Sequence, residues 1–286
     1  MKILKDEKYG DHPRNAFDLW IAKSKIPTPL VVFIHGGGFI RQDKSLADRP
    51  VLKLGRFVEN KISIAAINYR FIGESPYGIK ACLYDSRRFI QYIRYYAKKY
   101  NINKDRIACM GQSAGGGISL WLAFSEDMAD TKSSDPVLRQ STRITCAGAF
   151  GVPCTYDFFL WERIFNLPII SSNKQLLSMA SYFGLESGHT VDYYFGQKKI
   201  RKELDLLSKM NEDCSPFYVE NNGEKLIPKK LNAKWQEILH HPLHAKILKE
   251  WAEKKGIEAV IYAPKIGIVD PSGKNLFDFF YEKLGN

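Results

Sequence analysis

Five consecutive apolar residues, Leu30-Val31-Val32-Phe33-Ile34, run directly into His35-Gly36-Gly37-Gly38. So short a run, rich in β-branched residues and without alternating polar positions, suits a strand buried on both faces. Such a strand needs helices on each side, the arrangement of a parallel sheet with right-handed crossovers. The chain repeats the pattern. Strands are expected at Phe17–Ile21, Ile62–Tyr69, Arg106–Met110, Ile144–Val152 and Ile257–Ala263. Helical spacing predicts helices over Val51–Asn60, Ile79–Tyr100, Ala114–Phe124, Leu243–Lys255 and Asn275–Leu284. Pro242 before one helix and Gly256 after it are the usual signals of helix ends. The expected fold class is α/β: one domain over 1–286, with a mostly parallel central sheet and helices on both faces. Pro153–Asn211 is rich in aromatics and lacks a clear strand, and reads as a cap-like insertion.

At 286 residues the chain is long enough for a sizeable core, and 45% hydrophobic content excludes a disordered polymer. Net charge is +11, with some of the basic residues in pairs such as Lys98-Lys99 and Lys229-Lys230. No block of five or six basic residues and no nucleic-acid module appears, so a solvated surface is expected, with no nucleic-acid partner. The five cysteines form no CxxC pair. Cys82, Cys109 and Cys146 lie in apolar stretches and read as buried small hydrophobes. The first residues, MKILKDEKYGDHPRN, contain no apolar segment of signal-peptide type, and no run of 18 apolar residues occurs. A soluble chain is expected: cytoplasmic as it stands, secreted if a signal peptide was removed, and without a membrane partner.

Two motifs carry chemistry. Gly111-Gln112-Ser113-Ala114-Gly115 fits G-x-S-x-G and falls between an expected strand and an expected helix. Flanking glycines permit a sharp turn that lifts the Ser113 hydroxyl clear of the backbone, with a helix N-terminus beneath it to favour developing negative charge. The bland alternative is a strand-turn-helix with small packing residues. The second motif is His35-Gly36-Gly37-Gly38, whose successive amides can be aimed at one oxygen, as an oxyanion hole requires. A flexible loop or phosphate cradle is its alternative, but no GK[ST] follows, so a Walker loop fails.

Seventy-eight residues separate His35 from Ser113, and each motif follows a strand. Together they resemble the α/β-hydrolase fold in its HGGG-type esterase/lipase branch (hormone-sensitive-lipase-like), and within it the acetyl-esterase or feruloyl-esterase-like carboxylesterases. Asn68-Tyr69-Arg70, Pro76 and Asp85 match further. The resemblance covers roughly residues 15–152 well and the C-terminal third loosely. It implies Ser113 as nucleophile, the N–H groups of Gly37, Gly38 and Ala114 as oxyanion donors with Gly36 beside them, and His35 as a support of the loop. Asp85 reads as structural, beside Arg87 and Arg88. No cofactor and no metal are implied.

The base and the acid depart from the pattern. In the resembling family the order is Ser, acid, His, with His after the last strand. Here Pro264–Asp270 holds no histidine, and none occurs after His244. The stretch where the acid belongs, Trp235-Gln236-Glu237-Ile238-Leu239-His240-His241-Pro242, holds no aspartate, and Leu226–Leu231 is a poor penultimate strand. One explanation moves the base to His240 or His241, with Glu237 or Asp270 orienting the ring. His241 would then be an N-cap, kept neutral by the positive helix end. The other leaves an incomplete triad. A His-His pair before a helix also serves for capping and packing. A metal site from His240, His241 and His244 is a weaker idea, without HExxH.

The first reading is therefore a serine hydrolase of small carboxylic esters, short in the acyl part and carbohydrate-linked by family analogy. Its partner is a small-molecule ester. The second is a hydrolase-like binding protein or very weak esterase. The third is a basic module for an acidic polymer, which predicts steep loss of binding with salt. Aromatics of the insertion, among them Tyr156, Phe158 and Tyr182, either line a pocket or form the insertion's own core. Oligomeric state leaves no mark in the sequence.

Overall fold

Side chains of the third strand alternate between two separate apolar layers. Leu30, Val32 and Ile34 join one core, and Val31 and Phe33 join the other. That is the physical reason the run carries no polar residue. A computed structural model describes residues 1–166, 180–185, 189–223 and 238–285. Eight strands form one sheet in the order β1-β2-β4-β3-β5-β6-β7-β8. They are β1 (Lys2–Lys8), β2 (Ala16–Ile21), β3 (Thr28–Ile34), β4 (Ser63–Ile67), β5 (Ile102–Gln112), β6 (Cys146–Phe150), β7 (Phe217–Glu220) and β8 (Ala259–Tyr262). β1 and β2 pair antiparallel at one edge, and every neighbour pair from β4 and β3 through β8 is parallel.

The helices used below are α1 (Gly55–Glu59), α2 (Ile79–Tyr95), α3 (Ala97–Tyr100), α4 (Ala114–Phe124), α5 (Phe158–Phe165), α6 (Ala180–Phe183), α7 (Val191–Phe195), α8 (Lys198–Leu204), α9 (Leu206–Lys209), α10 (Leu243–Lys255) and α11 (Leu276–Leu284). Helices α2, α4 and α10 bury Leu83, Ile118 and Leu248 in one core. Helices α1 and α11 bury Phe57 and Phe280 in the other. The sheet is therefore covered on both faces. Among the described residues, no helix is long and apolar enough to cross a membrane. All five cysteines are free and buried.

Several boundaries differ from the pattern in the sequence. The helix expected over Ile79–Tyr100 breaks at Tyr96, and the restart lets Tyr100 bury edge-on to Phe17. The helix expected over Val51–Asn60 shortens to α1, preceded by a 3-10 turn at Pro50–Leu52. β1 escapes the sequence reading because it is an exposed, charged edge strand, the kind that keeps a sheet from pairing with strangers. Among the described residues the penultimate strand is β7, and Leu226–Leu231 lies outside them. At four residues β7 is too short to show a period. Asp85 is buried in an ion pair, but its partner is Arg70: three guanidinium contacts, Nη2–Oδ1 at 2.6 Å, Nε–Oδ2 at 2.9 Å and Nε–Oδ1 at 3.1 Å, and the Arg70 N–H at 2.9 Å.

Close approach of β3, β5 and α4 decides which residues the turn tolerates. A Cβ on Gly115 would overlap the Ile34 carbonyl oxygen, whereas one on Gly55 would meet open space. Gly115→Ala is therefore expected to lower unfolding free energy by about 3 kcal/mol, because rigid backbone cannot yield. Gly55→Ala should leave it unchanged or slightly higher. Urea unfolding of both variants checks this, and equal midpoints would refute it.

Candidate active site

Ser113 sits between β5 and α4 at φ +51° and ψ −115°, a region that side chains other than glycine seldom occupy. The surroundings hold it there. Its N–H donates to the Phe150 carbonyl at 2.8 Å, and its carbonyl accepts the Gly117 N–H at 2.9 Å to start α4. Gly111 and Gly115 are both pressed against the Ile34 carbonyl, and Gly117 against the Tyr156 hydroxyl. The pattern G-x-S-x-G therefore records backbone contacts with β3 as much as the turn itself.

His240 meets this serine. Its Nε2 lies 2.9 Å from Ser113 Oγ. Because the hydroxyl has the proton to donate, Nε2 accepts and Nδ1 carries the ring hydrogen. Burial alone holds His240 below the ordinary histidine pKa, so the ring is neutral near pH 7. No carboxylate bonds His240 among the described residues. The ring packs over Gly151, and a Cβ on Gly223 would overlap the His240 carbonyl oxygen. Asn221 secures that floor: fully buried, it accepts from the Val152 N–H and donates to the Val152 carbonyl, each at 2.9 Å. Sequence reasoning missed Asn221. Its signal was the turn-forming Asn-Asn-Gly at 221–223, directly after an apolar run.

The other histidines take separate places. His241 is buried, accepts the Leu243 N–H on Nδ1 at 3.1 Å, and stands edge-on to Phe165. It thus caps the start of α10, one residue before Pro242 at the helix boundary. His244 lies against the Cys154 thiol at 3.3 Å and donates from Nε2 to the Ile238 carbonyl at 3.0 Å, and burial pushes it down to about 3. The three rings do not converge on one point, and among the described residues no cluster of metal-ligating side chains occurs. Asp270 accepts from the N–H groups of Ile261 at 3.3 Å and Ser272 at 3.0 Å, in the turn after β8. Glu237 lies outside the described residues.

His35 is fully buried and stacks on Tyr69 with centroids 4.4 Å apart. Its Nδ1 donates to the Gly36 carbonyl at 3.0 Å, leaving Nε2 to accept from Arg14 at 3.3 Å. Desolvation pushes its pKa down to about 4, so it stays neutral. The Tyr69 hydroxyl also donates to the His35 and Gly36 carbonyls, each at 3.0 Å. With those carbonyls pinned, Gly37 and Gly38 turn through positive φ, +87° and +62°. The N–H groups of Gly37, Gly38 and Ala114 have no protein acceptor among the described residues. Gly38 and Ala114 line the same small cavity as Ser113, about 20 Å³, walled by Phe39, Tyr156, Phe158 and Tyr182. The Tyr182 hydroxyl, on α6, donates to the Gly38 carbonyl at 3.0 Å and so ties α6 to the glycine loop.

The family model BD-FAE matches residues 17–176. A probable isoprenylcysteine alpha-carbonyl methylesterase of Arabidopsis thaliana is 32% identical over 177 residues, 59% of this chain and 36% of that protein. One from Oryza sativa is 30% identical over 184 residues, 61% of this chain and 43% of that protein. The matched stretch thus spans less than half the length of these curated relatives. Among solved structures, a truncated carbohydrate esterase from gut microbiota covers 99% of this chain and 96% of its own at TM-score 0.72 and 16% identity. An acetyl ester-xyloside bifunctional hydrolase from Caldicellulosiruptor lactoaceticus covers 85% of this chain and 75% of its own at TM-score 0.59 and 21% identity. The fold is the α/β-hydrolase fold.

Strain at Ser113 has a measurable consequence. Ser113→Gly removes the side chain that the positive φ disfavours, and is expected to raise unfolding free energy by about 1 kcal/mol relative to Ser113→Ala. Denaturant unfolding of the two variants checks this. A glycine variant no more stable than the alanine variant would show that the turn stores no strain.

Proposed function

The chain belongs to the BD-FAE family, and from that premise we propose that it is a serine hydrolase of small carboxylic esters, with His240 as the base. The observation that supports this best is the 2.9 Å contact between His240 Nε2 and Ser113 Oγ. As Ser113 Oγ attacks the ester carbonyl, its proton passes to His240 Nε2. The carbonyl oxygen becomes an oxyanion beside the unpaired N–H groups of Gly38 and Ala114, with Gly37 next in the loop and Gly36 supporting it. His240 then gives the proton to the leaving alcohol, and the acyl group stays on Ser113. Water, losing its proton to the same Nε2, attacks the acyl carbon; the bond to Ser113 Oγ breaks, His240 returns the proton to Oγ, and the acid leaves. The cycle needs no cofactor.

Cavity size bears on the substrate. About 20 Å³ beside Ser113 takes roughly one water-sized group. A methyl fits, and Phe39, Tyr156 and Tyr182 are among the residues that wall it. The relatives' names refer to methyl esters, and one structural neighbour's name to an acetyl ester. Each ester carries one carbon on one side of the scissile group. The acyl side is proposed here: acetyl esters over butyryl esters.

One observation favours a slow enzyme. Among the described residues, packing and the Ser113 hydroxyl orient the His240 ring, and no carboxylate there offsets the charge of the transient imidazolium. Of the two carboxylates the sequence offered, Asp270 is taken up by its own turn, and Glu237 is the proposed candidate for that role.

Hydrolysis of p-nitrophenyl acetate tests the reading. Ser113→Ala and His240→Ala are each expected to lower kcat by about a thousandfold. His241→Ala should leave kcat within about tenfold and cost about 1 kcal/mol of stability through the lost cap. Glu237→Gln is expected to lower kcat at least about tenfold, and Asp270→Asn, whose carboxylate holds its own turn, to leave it within about twofold. Equal rates for wild type and Ser113→Ala would sink the proposal. Because His240 acts as a base, kcat/KM should fall with acidification, through an apparent pKa below 6.5. A midpoint above 6.5 would exclude His240 as the titrating group. The acetyl preference predicts kcat/KM for the butyrate ester at least about tenfold lower.

A further inference from the structure

No carboxylate bonds His240 among the described residues, so its aim depends on the turn that carries it. A second histidine holds that turn. His244, in the first turn of α10, is fully buried, as is Cys154 beside it. Its Nε2 lies 3.0 Å from the Ile238 carbonyl, which has no proton to give, so Nε2 carries the ring hydrogen. Nδ1 is then an acceptor, and the Cys154 thiol, 3.3 Å away, donates to it. Burial keeps the ring neutral and the thiol protonated, the states that both bonds need. The Ile238 carbonyl also accepts the His241 N–H at 3.2 Å, and the His241 carbonyl accepts the His244 N–H at 3.1 Å. Residues 238–244 are thus tied into one turn, and His240 lies within it.

The same ring reaches the wall of the small cavity. Cys154 follows Pro153 and Ile238 precedes Leu239, and both Pro153 and Leu239 line the cavity beside Ser113. One imidazole therefore links two stretches of that wall. Trp161 and Phe165 stand edge-on to His244, with centroids at 5.0 and 5.3 Å. Both come from α5, whose Phe158 also lines the cavity. Packing alone does not call for a histidine here. A leucine fills a similar space, but it neither accepts from the thiol nor donates to the carbonyl. Losing the ring strands two buried polar partners at once.

We propose that His244 is a positioning residue of the hydrolytic site: bridged between Cys154 and Ile238, it seats His240 and fixes Pro153 and Leu239 in the cavity wall, and so limits the size of the acyl group. The inference rests on the reading of Ser113 as nucleophile and His240 as base. Cutting the bridge frees the turn. His240 then loses its aim and gains water, and the cavity widens at Pro153 and Leu239.

Three readings on the full chain test this. In His244→Leu, kcat for p-nitrophenyl acetate is expected to fall about tenfold, with KM within about twofold. The acetate-to-butyrate ratio of kcat/KM should fall from at least about tenfold to about threefold or less. That ratio does not depend on how much of the sample is folded, so lost stability alone leaves it unmoved. Histidine-ring NMR gives the third reading, with the His240 signal assigned by its loss in His240→Ala. Its titration midpoint, held below 6.5 by burial, should rise toward 6.5 as the ring gains water. His244→Gln, which still donates to the Ile238 carbonyl, should keep all three readings near those of the wild type. Cys154→Ala keeps the ring but removes its donor, and should move them the same way by less. It is the deciding variant if His244→Leu does not fold. An unchanged ratio or an unchanged midpoint in the deciding variant overturns the proposal, as does a glutamine variant no better than the leucine one. If the wild type hydrolyses neither ester, the esterase reading fails by itself, and the His240 midpoint still decides whether His244 seats that ring.

Discussion

Three backbone segments meet at the Ile34 carbonyl, and the candidate site depends on that meeting. Gly111 at the end of β5 and Gly115 at the start of α4 both approach this one oxygen too closely for any side chain. Between them the chain has no room for a gentle turn, so Ser113 is driven to positive φ and its hydroxyl outward. The cost is local backbone strain, kept because the surrounding sheet over-determines the turn. His35 follows Ile34 directly, so the same contact that shapes the serine turn also sets where the glycine loop begins.

The glycine loop is held by its carbonyls, which leaves its amides available. His35 and Tyr69 occupy the carbonyl of Gly36, and Tyr182 occupies that of Gly38. Donors fixed before a charge appears stabilise it without reorganisation. Buried neutral histidine suits the supporting role, since His35 resists protonation down to about 4. Tyr182 belongs to α6 and also lines the small cavity, so the loop and the cavity wall share this side chain.

His240 and His241 are adjacent yet differ in environment. One ring turns to Ser113, and the other bonds the first helical amide of α10. Residues on either side of a tight turn point in different directions, so neighbours in sequence need not share a site. The consequence is that the ring beside Ser113 arrives from the segment after β7, while the turn after β8 uses Asp270 to hold its own backbone.

Much of this was legible in the sequence. Apolar runs buried on both faces declare themselves, because water excludes polar residues from them, and Leu30–Ile34 therefore marked the sheet. The spacing of glycines around Ser113 recorded steric limits that only a tight strand-turn-helix imposes. What the sequence could not decide was which histidine reaches the serine. His240 and His241 carry the same chemistry, and the choice rests on where α10 begins, on Asn221 bracing Val152, and on Gly151 leaving space beneath the ring. Nor could the short strand β7 be seen, since four residues show no period. Nothing in the pairing of Asp85 with Arg70 rather than Arg87 or Arg88 is local either. These are contacts between segments far apart in the chain, and they exist only once the sheet has brought the segments together.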